Sequence, residues 1–157
     1  MSDLRVGLGF DVHPVDASRE LWLGGVRFDG EPGLAGHSDG DAVCHAIADA
    51  LLGAAALGDI GQHFPDTDPA VEGITGVRLL RAVLALLRDD TGLAPVSCDV
   101  TVLCERPAIE PRREEMRATL AGVLEIHVER MSVKATRPEG LGLSGDGVGC
   151  FALATLR

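Results

Sequence analysis

A chain of 157 residues with 46% hydrophobic residues is long enough to bury a core without disulfide staples, and one domain spanning 1–157 is the expectation. Its formal net charge of −10 argues against nucleic acid as a partner, because phosphate backbones are bound by basic stripes. The apolar stretches near 46–57 and 79–87 are broken by Asp49, Gly53, Gly58 and Arg81, well short of a membrane-spanning helix. Met1 to Arg5 shows no basic region leading into an apolar run, so a cytoplasmic protein is expected. Cys44, Cys98, Cys104 and Cys150 lie far apart in apolar or alternating segments. They read as buried free thiols of a reducing compartment.

In chain order, Arg5 to Val12 alternates around Val6, Leu8 and Phe10 as a strand, and Leu21 to Phe28 reads as a second strand, together an N-terminal β-hairpin. Asp41 to Ala56 is Ala- and Leu-rich, follows the cap candidates Ser38 and Asp39, and ends before Gly58, which predicts a well-packed helix. A loop runs from Asp59 to about Ile74, marked by Gly61, Pro65, Asp66 and Pro69. Thr75 to Asp90 has helical apolar spacing, Val96 to Cys104 alternates as a strand, and Pro111 to Leu124 opens with proline as a helix does. Arg130 to Ala135 and Val148 to Leu156 read as two further strands. The mixed order fits the α+β class, with a mixed sheet packed against helices.

Asp11 and His13 lie at i and i+2 of the first strand and project to one side of it, as metal ligands can. On the helix from Asp41, the residues Asp41, His45 and Asp49 recur every four positions and form a polar stripe on an otherwise apolar element. Such a stripe must be solvated, paired or metallated. Zinc accepts imidazole and carboxylate, and catalytic sites keep three protein ligands with one open position, which Asp11, His13 and His45 would supply. A bound metal would also give an acidic protein the local cation that phosphate handling needs. Spacing alone leaves alternatives open: Asp41 or Asp39 merely caps the helix, His45 is a satisfied core histidine, and His37 is a competing ligand or a group aimed at substrate. No nucleophile elbow, Walker loop or thiol dyad is present.

Several longer runs are more specific: Gly9-Phe10-Asp11-Val12-His13, His37-Ser38-Asp39-Gly40-Asp41, the stretch from Asp49 to Gly61, Phe64-Pro65-Asp66-Thr67-Asp68-Pro69, and Val133-Lys134-Ala135-Thr136. In order and spacing they resemble the signature segments of the 2-C-methyl-D-erythritol 2,4-cyclodiphosphate synthase family of non-mevalonate isoprenoid synthesis. The resemblance implies a homotrimer with active sites between subunits. It further implies conversion of 4-diphosphocytidyl-2-C-methyl-D-erythritol 2-phosphate to the cyclic diphosphate and CMP, with the substrate's own 2-phosphate as the attacking group.

By matching position, the resemblance assigns zinc to Asp11, His13 and His45, and magnesium or manganese to Glu139. It places His37, Ser38, Asp59 and Gly61, joined by Phe64 and Asp66, around the methylerythritol phosphate. The nucleotide falls to Cys104, Pro107, Ala108, Ile109, Ala135, Thr136 and Arg137. Lys134, Thr136 and Glu139 are the expected catalytic groups, with Asp49 orienting a ligand histidine. Some positions depart from the family pattern. Arg137-Pro138 stands where hydroxyl residues usually follow, Ala108 where a lysine is common, and Leu8 where a histidine is frequent. Asp146, Val148 and Leu153 occupy positions where some members line an axial cavity with arginine and glutamate. A zinc phosphohydrolase and a non-catalytic nucleotide-binding trimer are the competing readings.

Overall fold

The computed structural model describes residues 3–142 and 146–157. A first long strand, β1 (Arg5–Leu23), turns back into β2 (Val26–Leu34). The expected hairpin is therefore present, but Leu21 to Phe28 is not one strand. Gly24 and Gly25 sit at φ 61° and 73° between the paired Leu23 and Val26, the positive-φ pair that a two-residue hairpin turn requires. The remaining elements are α1 (Ala42–Ala54), α2 (Ile60–His63), α3 (Gly76–Thr91), β3 (Pro95–Leu103), α4 (Arg113–Leu124), β4 (Met131–Thr136) and β5 (Gly147–Leu156). Pro111 lies in a short 3-10 turn just ahead of α4 rather than in its first turn.

The five strands run in the order β2-β1-β5-β3-β4. β3 and β4 are parallel and the other pairs antiparallel, so the sheet is mixed and the class is α+β. α1 lies directly on β1 and β5 and is buried almost all round, as a helix apolar on every face must be. Side chains at Gly7 and Gly9 would collide with the carbonyls of Ala50 and Ala46. Their absence lets the helix sit close against the strand.

Asp41 fixes the helix start. Its carboxylate accepts from the amides of Val43 and Cys44 at 3.1 and 3.0 Å and from those of Gly24 and Gly25, both at 2.8 Å. One buried side chain thus satisfies two orphan donors of the helix and both amides of the hairpin turn. The four cysteines are buried and free.

Alternation on β1 sends Gly7, Gly9, Asp11 and His13 toward α1 and the other set away from it. That other set, Val6, Leu8, Phe10 and Val12, meets Phe151 and Leu153 of β5 to leave an apolar sheet face exposed, with Leu8 67% accessible. Phe10 and Phe151 stack there, ring centres 4.6 Å apart. Val148 does not belong to this face: only 2% exposed, it points into the core, while Leu153 lies on the open side. No helix among the described residues is long and apolar enough to cross a membrane.

Candidate metal centre and nucleotide cleft

Beyond the glycines that admit α1, Asp11 and His13 continue along the same face of β1 and meet His45 in the first turn of the helix. Asp11 Oδ2 lies 2.7 Å from His13 Nε2 and 3.2 Å from His45 Nδ1, and the two ring nitrogens are 3.1 Å apart. The other nitrogen of each ring is already engaged. His13 Nδ1 donates to the Ala35 carbonyl at 2.6 Å, and His45 Nε2 bonds Ser38 Oγ at 3.0 Å. A carbonyl only accepts, so neutral His13 carries its proton on Nδ1 and presents a bare Nε2. With both rings neutral and the His45 proton turned toward Ser38, two lone pairs and a carboxylate converge on one point; with no cation there, a ring proton bonds Asp11 instead. That donor set, two imidazoles and one carboxylate with an open side, suits zinc.

The charge state agrees. Burial would raise the Asp11 carboxyl, but its hydrogen bonds with the two histidines outweigh that and hold it at about 2. Burial lowers His13, yet the Asp11 hydrogen bond and charge prevail and raise it above 6.5. A cation at this point would displace a proton and take up the same carboxylate charge. Asp41 serves as the helix cap, and His45 is buried with Ser38 at one ring nitrogen and Asp11 and His13 at the other.

The triad opens onto a cleft of about 190 Å³ lined also by His37, Ser38, Ile60, Gly61, Phe64 and Asp66. His37 is not among the converging donors: its Nε2 pairs with Asp66 Oδ2 at 3.4 Å on the outer rim. Asp59 caps α2 through the Gln62 amide at 3.0 Å and does not line the cleft. Asp49 corrects an expectation. Its Oδ1 accepts from the Ile60 amide at 2.8 Å, so it anchors the start of α2, while Ala35 and Ser38 orient the histidines. Burial, with the nearby charges of Asp59 and Asp11, raises its carboxyl against the opposing Ile60 hydrogen bond. The Ala35 carbonyl had no sequence signature, since a backbone acceptor can belong to any residue.

A second cleft, about 450 Å³, lies at the ends of β3 and β4, and it gathers Cys104, Pro107, Ala108, Ile109, Ala135, Thr136 and Arg137. The Cys104 amide donates to Thr136 O at 3.2 Å and ties the two walls together. Burial pushes the Cys104 thiol up to about 11, which makes it lining rather than nucleophile. Arg106, Arg113 and Arg137 supply cations where Ala108 has none. Lys134 stands outside this cleft, because alternation turns it onto the open sheet face, where it pairs with Asp99 at 2.6 Å. Glu139 follows β4 in an exposed turn at φ 52°.

In the sheet, β5 and β3 separate His13 on β1 from Thr136 on β4. Three interstrand spacings make about 14 Å. The molecule so described is an α+β protein with a carboxylate–imidazole site suited to a divalent cation and a separate polar cleft of nucleotide size. The chain belongs to the YgbB family, whose model matches residues 4–157. It is 50% identical over 151 residues to the 2-C-methyl-D-erythritol 2,4-cyclodiphosphate synthase of Chloroherpeton thalassium, covering 96% of each chain. It is 51% identical over 155 residues to a bifunctional enzyme IspD/IspF of Anaeromyxobacter dehalogenans, covering 98% of this chain and 40% of that one. Among solved structures, a 2C-methyl-D-erythritol-2,4-cyclodiphosphate synthase in a CDP-bound form superposes with a TM-score of 0.89 at 34% identity, over 98% of this chain and all of that one.

Proposed function

We propose that this chain is a lyase that converts 4-diphosphocytidyl-2-C-methyl-D-erythritol 2-phosphate to 2-C-methyl-D-erythritol 2,4-cyclodiphosphate and CMP. The observation that carries the reading is the convergence of two imidazole nitrogens and the Asp11 carboxylate at the wall of a cleft, in a chain with family identity along its whole length. An oxygen of the substrate's 2-phosphate attacks the distal phosphorus of its diphosphate. That P–O bond forms as the bond to the bridging oxygen breaks, and the oxygen and its electron pair leave with CMP. Such a transfer requires in-line positioning and charge stabilisation rather than a protein nucleophile.

Asp11, His13 and His45 would hold zinc, which supplies Lewis acidity and a template for phosphate oxygens. His37, Ser38 and Gly61 face the methylerythritol end, with Asp59 setting the turn that presents Gly61. Cys104 to Ile109, Ala135, Thr136 and Arg137 receive the cytidine diphosphate end, and Glu139 would hold magnesium or manganese between its phosphates. Lys134 reaches a bound phosphate only from the open face of its sheet, which favours a site shared with a neighbouring chain.

A homotrimer is supported by the exposed Val6, Leu8, Phe10, Phe151 and Leu153 face, an apolar surface of the kind that marks protein–protein contact. The same arrangement fits a cytoplasmic enzyme of isoprenoid precursor synthesis. Phosphorus NMR of the substrate after incubation tests the reaction. The cyclic diphosphate is the expected product; a linear phosphate accompanying CMP would identify a hydrolase, and CDP binding without turnover a binding protein.

A further inference from the structure

β1 carries an irregularity that the pairing alone does not need. Asp16 pairs with Gly33 and Glu20 with Pro32, so β1 advances four residues while β2 advances one. Three residues, Ala17, Ser18 and Arg19, are extra. Asp16 Oδ1 accepts from the Ser18 amide at 3.0 Å and from Ser18 Oγ at 2.6 Å, a local turn of the kind short polar side chains stabilise. The bulge then rests on Gly33, where any Cβ would stand 2.5 Å from the carbonyl oxygens of Arg19 and Glu20. Bulges re-aim side chains, and this one sends Arg19 across to the segment that follows β2.

There the guanidinium takes two backbone carbonyls at once. Nη1 donates to Gly36 O at 2.5 Å and Nη2 to Ser38 O. His37 lies between these two residues, and Ser38 is the residue whose hydroxyl meets His45. From the opposite side the Gly73 amide donates to His37 O at 3.0 Å and the Gly76 amide to Asp39 Oδ2 at 2.9 Å. We infer that Arg19 is a positioning residue, a two-pronged clasp that holds the His37–Ser38 segment in register with the triad for the methylerythritol phosphate end of the substrate. The inference rests on the proposed function for its substrate but on the bulge geometry for its device. Two carbonyls two residues apart suit a planar fork and exceed what a single ammonium nitrogen spans in one geometry.

Arg19→Ala and Arg19→Lys, each compared with wild type, test the clasp. Loosening the segment lowers the fraction of molecules competent for that end of the substrate. Arg19→Ala is expected to raise KM for the diphosphocytidyl substrate by about tenfold, with CDP affinity and melting temperature unchanged, because the proposed function puts CDP against Cys104 to Ile109 and Ala135 to Arg137 rather than residues 36–38. Amide exchange at residues 36–40 should accelerate in the same variant, a readout that holds even if the wild type fails to turn over the substrate and the functional reading falls. Arg19→Lys should behave like Arg19→Ala. Wild-type KM in Arg19→Lys, unchanged exchange at 36–40 in Arg19→Ala, or equal losses of substrate and CDP affinity would each overturn the clasp.

Discussion

His13 Nε2 and His45 Nδ1 face each other 3.1 Å apart, both beside Asp11 Oδ2, while Ala35 and Ser38 hold the opposite edges of the rings. Two lone pairs at that separation repel unless a proton or a metal cation lies between them and the Asp11 carboxylate. His45→Ala removes one ligand, and the variant should purify without stoichiometric zinc while its circular dichroism stays native. Turnover should fall by more than about a hundredfold, since even outer partners of a metal site are worth tenfold to a hundredfold. Full zinc occupancy by elemental analysis would remove His45 from the ligand set.

Asp41 should behave in the opposite way. Asp41→Ala strands four amides, the buried ones of Gly24, Val43 and Cys44 and the part-buried one of Gly25. Losing a cap costs about 1 kcal/mol and each buried unsatisfied donor about 1–3 kcal/mol, so a loss of at least ~3 kcal/mol is expected. Urea unfolding measures it, and zinc per folded molecule should stay at the wild-type value. A loss below about 1 kcal/mol would show that water or a rearranged turn satisfies those donors.

Arg137 lines the nucleotide cleft that Ala108 leaves without a lysine. Arg137→Ala should weaken CDP binding by about 1.5–3 kcal/mol, the range of a charge-assisted hydrogen bond. Calorimetry returning equal affinities would show that Arg106 or Arg113 carries the diphosphate instead.

The parts of this architecture legible from sequence are those whose chemistry repeats with the element's own period. The i, i+2 spacing of Asp11 and His13 puts both on one side of a strand, and α1 shows itself by its run of small and aliphatic residues. Gly24-Gly25 was hidden because Leu21, Leu23, Val26 and Phe28, all buried, keep an apolar rhythm through the turn. The far half of β1 was hidden because Pro14, Asp16 and Ser18 read as loop residues, although an exposed, bulged strand tolerates them. Asp49 was a ligand histidine's partner only by the family resemblance, and its Oδ1 accepts from the Ile60 amide instead. The second cleft had no local signal of its own, being gathered from β2, the segment after β3 and the end of β4, and only the family resemblance pointed to it.

In the proposed trimer, one chain's metal triad works with a neighbour's nucleotide cleft. His45→Ala disables the first, and Ala135→Trp, which fills the second, disables the other. In a closed three-membered ring every mixed trimer has one junction of two intact faces. Random mixing at equal amounts makes six of eight arrangements mixed, so activity should reach about one quarter of wild type. The decisive measurement is turnover against mixing ratio, with subunit exchange verified by mass. A maximum near equal proportions is the expected result, and a flat line at the parental background would contradict a site shared between chains.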